Sequence, residues 1–223
     1  MKKARWLLIS ALLVLSILAI LVILVGGQPR IIQAQTNVEL PQDFQYWPPE
    51  MQQEYLDNQA NKTNALYIYI FPALGALAGV WILWFLLGSI LHLALTLAGS
   101  RGSNTSALNL VAWASLPFAI RYIVQAFAIM SSKQLIAAPG LSGFLAADGN
   151  GFMIFLRGVL AQIDLYLIWQ VVLLLVGVLP MTGLARAKAW TSVLASVLII
   201  LALAALPGLV VSQLGGLSTT PNF

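Results

Sequence analysis

Long apolar stretches with few charges constrain this chain more than any other feature of its sequence. Residues 6–25 form an apolar run of about twenty residues, which as a helix covers about 30 Å, the thickness of a bilayer core. Residues 65–98, 107–130 and 152–206 hold most of the remaining apolar side chains. Only 8% of the 223 residues are charged, whereas a soluble domain carries about 25%. The sequence predicts an all-α, polytopic transmembrane bundle of about five spans.

Two of the apolar runs are too long for one straight span. Residues 65–98 would form a helix of about 50 Å, and Pro72 is the predicted break because it lacks an amide donor. Residues 152–181 are divided into an amphipathic segment and a membrane core. The predicted later spans are 73–97, 107–130, 165–180 and 190–206, the last ending near Pro207. The predicted division of the chain is an uncleaved signal-anchor span (1–27), a loop (28–64), a four-span domain (65–212) and a tail (213–223).

Residues 28–64 are the one extended polar stretch. They contain five acidic residues, Glu39, Asp43, Glu50, Glu54 and Asp57. The segment has too little apolar material for a core of its own. We expect a water-exposed loop with one short surface helix over residues 50–60, directly after the Pro48-Pro49 pair.

Charge distribution predicts the orientation. Lys and Arg concentrate on the cytoplasmic side of membrane proteins. A cytoplasmic N-terminus places one set of basic residues inside with no acidic residue among them: Lys2, Lys3, Arg5, Arg101, Arg186 and Lys188. The acidic loop, Asp148 and the C-terminus then lie outside. The predicted location is the cell membrane.

Catalytic equipment is nearly absent from the sequence. Cysteine is missing and His92 is the single histidine, which removes thiol nucleophiles and most metal sites. Residues 140–143 match the Gly-x-Ser-Gly of rhomboid proteases, but His92 precedes Ser142 and falls at the opposite end of a span. The net charge of +4 is spread over short loops and makes no nucleic-acid patch. We expect a non-enzymatic protein without cofactor or metal that binds membrane lipids and a protein partner in the membrane.

Two charged residues are predicted to lie at membrane depth. Arg121 is about 14 Å from the outer end of its span and Asp164 about 18 Å into the fourth helical region. An unpaired charge there costs roughly 2.5–3.5 kcal/mol on insertion scales. Either the two side chains pair, or Asp164 caps a helix while Arg121 reaches toward the headgroups. The sequence favours neither alternative.

Gly75 and Gly79 form a Gly-x-x-x-Gly motif on one helical face. Such a face permits close approach of another helix. An ordinary glycine-rich membrane helix explains the motif equally well. Both interpretations concern packing rather than chemistry.

Several motifs of the four-span region resemble those of Yip-domain proteins, named for Ypt-interacting protein. Residues 97–103 form a Gly-rich basic turn that leads to Ser115-Leu116-Pro117. Residues 162–169 resemble the family's Asp-Leu-aromatic…Trp element through Asp164, Leu165, Tyr166 and Trp169. Gly177 then matches a Leu-x-x-Gly element and Lys188 a small-x-Lys-Ala turn. The resemblance covers about residues 67–206 and leaves out the first span and the acidic loop.

This resemblance implies a non-enzymatic helical bundle that organises lipids or docks a partner. Eukaryotic members bind Rab-type GTPases through a cytosolic N-terminal region, and this sequence shows no such region, so GTPase binding is not carried over. Two other functions remain open. One is an accessory subunit of a larger membrane complex. The other is a small transporter or channel component with a polar path of Arg121, Gln125, Gln162, Asp164 and Gln170.

Overall fold

The computed structural model describes residues 2–36, 40–145 and 150–217 and contains helices but no strand within them. Five helical segments are long and apolar enough to cross a membrane, which confirms the predicted all-α bundle of five spans. They are Ile9–Thr36, Leu66–Leu97, Asn104–Ser132, Leu165–Thr182 and Arg186–Val210.

The first span is longer than predicted. Helix α1 (Lys2–Val25) is followed after Gly26 by α2 (Gly27–Thr36), so the expected loop from residue 28 begins nine residues too early. Gly26 does not end the helical hydrogen bonding, because its amide donates to Val22 O at 2.9 Å and its carbonyl accepts from Arg30 N at 3.2 Å. Helix propagation therefore continues past the glycine pair.

The rest of the polar segment carries the short helix that the sequence predicted. Helix α3 spans Pro49–Lys62, after a 3₁₀ turn at Phe44–Tyr46. The rings of Phe44, Trp47 and Tyr55 lie 5.6–5.7 Å apart and hold the turn against α3. Glu39, one of the acidic residues used for the orientation, lies outside the described residues.

The second span is not broken at Pro72. A π-helical turn over Leu66–Ile70 runs directly into α4 (Phe71–Leu97), with Phe71 N donating to Leu66 O. Pro72 has no amide to donate to Ile68 O in the α pattern. Arg30 Nη1 donates to that carbonyl instead, at 3.2 Å, and to Ile23 O at 3.3 Å. The wide turn and the arginine together accommodate the proline without ending the helix.

The third span bends in its middle. Helix α5 (Asn104–Ala114) is capped by Ser103, whose side-chain oxygen accepts from Ser106 N at 3.2 Å. Helix α6 (Pro117–Ser132) continues after Ser115-Leu116. Helix α5 packs on α4, whereas α6 packs on α1 and α8. The bend thus separates the second half of the span from α4.

The fourth helical region is divided as the sequence predicted. Helix α7 (Gly151–Leu160) packs on α9, and α8 (Leu165–Thr182) follows after a short turn. The preceding loop touches this turn at Gly140, which has φ +57°. A Cβ there would lie 2.7–2.8 Å from the carbonyl oxygens of Leu160, Ala161 and Ile163, so the position requires glycine. Asp148 lies outside the described residues.

The last helix passes through its proline. Helix α9 spans Arg186–Leu217 with Pro207 inside it, so the predicted end near Pro207 is wrong. In lipid, each unpaired backbone group costs several kcal/mol. Losing one hydrogen bond at the proline is therefore less costly than ending the helix. The predicted tail from residue 213 is helical to Leu217, and its residues 218–223 lie outside the described residues.

The spans pack through an apolar core and through close contacts at two glycines. Helices α4, α5, α8 and α9 share an apolar core that includes Leu91, Val111, Leu174 and Val193. A Cβ at Gly88 would overlap the Leu108 side chain, and one at Gly177 would overlap that of Leu110.

Three tryptophans each donate to another helix. Trp81 donates to Ser16 Oγ at 3.1 Å, Trp84 to Leu108 O at 2.9 Å and Trp190 to Leu175 O at 3.1 Å. Close glycine contacts and indole hydrogen bonds therefore replace the hydrophobic effect that would drive packing in water.

Candidate functional site

A cavity of about 150 Å³ lies between the five spans, where α6 turns away from α4. Most of its wall is apolar and comes from α1, α4 and α9, including Leu12, Leu83 and Ile200. The polar lining residues come from the third and fourth helical regions and are Ser115, Arg121, Tyr122, Gln162 and Gln170. The cavity therefore has an apolar body and one polar side.

Ser115 joins the bend to α8. Its hydroxyl donates to Val111 O at 2.7 Å and accepts from Gln170 Nε2 at 2.8 Å. Both residues are buried, and Gln170 is only 4% exposed. A buried amide without a partner would be costly, so this contact fixes α8 at the height of the bend.

Arg121 and Asp164 form an ion pair at the same cavity. Arg121 Nε lies 3.0 Å from Asp164 Oδ2, and the two side chains are 19% and 16% exposed. Asp164 Oδ1 also accepts from Leu167 N at 2.9 Å and caps α8. The pairing and the capping that we treated as alternatives therefore occur together, one on each carboxylate oxygen.

Two more polar side chains complete this side of the cavity. Tyr122 follows Arg121 on α6, and Gln162 precedes Asp164 in the turn before α8. The Arg121 guanidinium also lies over the Phe118 ring, 5.8 Å from its centroid. Sequence reasoning did not identify Ser115 as a hydrogen-bond partner or Tyr122 as a lining residue. The available signal was a serine two residues before a proline within a membrane span.

The family-motif positions separate into two groups. Ser115, Pro117 and Asp164 build the bend, the α6 start and the α8 cap beside the cavity. The other motif residues lie elsewhere: Leu116 in the break, Tyr166 half-buried, Leu165 and Trp169 on the exposed face of α8, Gly177 against α5, and Lys188 exposed near the start of α9.

Gly75 and Gly79 do not pack against another helix of this chain. A Cβ at either position would have no atom of another described helix within 4 Å. The predicted packing role is therefore wrong for contacts among the described spans. Gly88, which is buried, and Gly177 make the close helix contacts instead.

Ser142 and His92 were the side chains that could resemble catalytic groups, and Ser142 is engaged in a hydrogen bond. Ser142 is buried and its hydroxyl donates to Pro139 O at 2.6 Å. His92 lies on α4, toward the turn that precedes α5. Across residues 2–36, 40–145 and 150–217, no group of three or more His, Cys, Asp or Glu side chains is arranged to hold a metal ion.

Comparison with known proteins gives one match. No curated protein and no solved structure shows significant similarity to the chain. The family model of the Yip1 domain matches residues 1–207. The match includes the first span and the acidic loop, so our expectation that the resemblance begins near residue 67 was too narrow. The chain belongs to the Yip1 domain family of membrane proteins.

Proposed function

We propose that this Yip1-family protein is a non-enzymatic docking protein that holds the transmembrane helix of another protein against α4. The observation that carries the proposal is the uncovered small-residue face of this helix. Helix α4 packs on α1, α5 and α9. No atom of another described helix lies within 4 Å of a Cβ built at Gly75 or Gly79.

The exposed face of α4 has the form that a partner helix requires. Six of its exposed residues recur at helical spacing: Phe71, Leu74, Gly75, Ala78, Ile82 and Phe85. In lipid, apolar side chains gain little by associating, so close backbone approach across small residues decides which helices pair. The glycines provide a shallow groove, and the larger side chains border it.

The polar groups of the membrane interior support a binding role over a catalytic one. Asp164 is engaged by Arg121 and by Leu167 N, and Gln170 is engaged by Ser115. These contacts stabilise the bundle and engage the acidic and amide groups that could otherwise act as a base. The transporter alternative draws support from the cavity, which gathers Arg121, Gln162 and Gln170. We rank it second because a volume of about 150 Å³ suits one small group rather than a path.

Photocrosslinking in native membranes tests the docking proposal. A photoreactive residue replacing Ala78 is expected to give a discrete protein adduct. The same residue replacing Leu198, which is exposed on α9, should label lipid only. Adding Gly75→Leu and Gly79→Leu should remove the adduct, whereas Gly208→Leu, another glycine with open space, should not.

The adducts distinguish a docking face from general exposure to lipid. Equal adducts from positions 78 and 198 would contradict the proposal that α4 presents a docking face. An adduct of twice the chain mass would show that the partner is a second copy. A partner that copurifies in fixed stoichiometry would make the chain an accessory subunit of a complex.

The proposed orientation places the N-terminus in the cytoplasm of a cell and the polar loop outside. The basic turns near Arg101 and Arg186 lie at the same end of the bundle. A Cβ at Gly99, in the first turn, would lie 4.0 Å from Leu184 Cδ2, in the second. In this cysteine-free chain, a cysteine replacing Asn58 is expected to react with an impermeant reagent in intact cells. One replacing Ser103 should not react, and the opposite pattern would reverse the orientation.

A further inference from the structure

We propose that the cavity binds the carbonyl-bearing end of an uncharged, chain-like lipid. This site is separate from the docking face, and its failure would leave the docking proposal intact. Its apolar wall suits a hydrocarbon segment, and its polar side suits an oxygen acceptor. A dry, apolar cavity of 150 Å³ accommodates a molecule of about the size of benzene.

The polar side offers donors that the protein does not use. Arg121 contacts Asp164 through Nε, which leaves the N–H groups of its two terminal nitrogens. The Gln162 and Tyr122 side chains make no hydrogen bond with the described residues. No buried side-chain N or O atom in the described ranges lacks a partner, so these groups face accessible space. The space that all three line is the cavity.

The charge balance selects against an ionic ligand. Arg121 is neutralised by Asp164 at 3.0 Å, so a carboxylate or phosphate would meet a nearby negative charge without a free positive one. A carbonyl oxygen accepts from the remaining N–H and O–H donors without this repulsion. The ligand is therefore neutral and carries an acceptor.

We expect the cavity to be reached from the lipid rather than from water. Leu83 lines it and is 38% exposed. Leu83 lies near the middle of the Leu66–Leu97 span. At that depth the surrounding solvent is hydrocarbon, so an opening beside Leu83 would admit a membrane-dissolved chain.

Photolabelling of the full chain in phosphatidylcholine vesicles tests this inference. Three probes carry a diazirine on the sixth carbon of the same chain: a methyl ester, a hydrocarbon without oxygen and a free acid. The methyl ester is expected to label residues 83–87 and 197–201 about fivefold more than either other probe, since one hydrogen bond contributes about 1 kcal/mol. Peptide mapping by mass spectrometry locates the adducts.

Two variants and a control complete the test. Val80→Phe fills the cavity and should abolish this labelling, whereas Val172→Phe, on the exposed face of α8, should leave it unchanged. Gln162→Leu removes one polar partner and should reduce the preference for the ester while retaining labelling. Equal labelling by all three probes, labelling that survives Val80→Phe, or adducts confined to outward faces would each overturn the proposal.

Discussion

Pro72 and Pro117 both lack a backbone amide that could donate a hydrogen bond within a membrane span. The bundle accommodates the two prolines in opposite ways. At Pro72 the helix widens into a π turn, with Phe71 N donating to Leu66 O. At Pro117 the chain tightens, since Leu116 N donates to Trp113 O at 3.2 Å and Ala119 N to Leu116 O at 2.9 Å. The wide turn lets the second span continue, whereas the tight turn bends the third span.

The difference shows that neighbouring side chains decide what a proline does to a membrane helix. At Pro72, Arg30 reaches from another helix to the affected carbonyl. At Pro117, Ser115 and its partner Gln170 fix the bend, and the displaced α6 brings Arg121 to Asp164. The cavity lies beside the second arrangement.

The largest effect is expected from the ion pair beside the bend. Asp164→Asn retains a side-chain cap for α8 but leaves Arg121 without its counter-charge. The free energy of unfolding in bicelles should fall by about 2–3 kcal/mol. The double variant Arg121→Leu with Asp164→Leu should recover much of this loss.

The control for this prediction is Asp43→Asn in the exposed loop. It should change the free energy of unfolding by less than about 0.5 kcal/mol. A double-mutant cycle measures the coupling between Arg121 and Asp164. Additive effects of the two single replacements would mean that the pair does not stabilise the bend.

A smaller loss is expected when the link between the bend and α8 is removed. Gln170→Leu leaves the Ser115 hydroxyl bonded to Val111 O but removes the contact between helices. The expected cost is about 1–2 kcal/mol of unfolding free energy. Gln125→Leu, at a half-buried position outside the cavity lining, should cost less than about 0.5 kcal/mol. Equal losses in the two variants would contradict a specific role of the Ser115–Gln170 contact.

The number of spans, the surface helix and the possible ion pair were predictable from the sequence, whereas the effect of Pro72 and the cavity were not. The number of spans follows from apolar length, and the surface helix at Pro49–Lys62 from the proline pair and the polar residues after it. The depths of Arg121 and Asp164 permitted their pairing, because rise per residue is fixed. The fate of Pro72 was not predictable, since the compensating Arg30 lies 38 residues from Ile68. The cavity was not predictable from the sequence for a similar reason, because it depends on how five helices pack around one bend.

A more local effect is expected at the wide turn. Arg30→Ala removes the donor to Ile68 O and Ile23 O. We expect a loss of about 1 kcal/mol, seen as faster amide hydrogen exchange in residues 66–71. Arg101→Ala, at an exposed position in a turn, should leave this exchange unchanged. Uniformly faster exchange across α4 would mean that Arg30 stabilises the whole span rather than the turn.

The smallest change is expected when Pro72 itself is replaced. In Pro72→Ala the new amide can donate to Ile68 O, so it gains a hydrogen bond but competes with Arg30 for the same carbonyl. The two effects offset, and the free energy of unfolding should change by less than about 0.5 kcal/mol. The loss of unfolding free energy caused by Arg30→Ala should then be smaller in the Pro72→Ala background than in the original chain. The control is Pro207→Ala, at a position on α9, which should leave that loss unchanged. A double-mutant cycle with hydrogen exchange as the readout measures both couplings. If Arg30→Ala caused the same loss whichever residue occupied position 72, the arginine would not compensate for the proline.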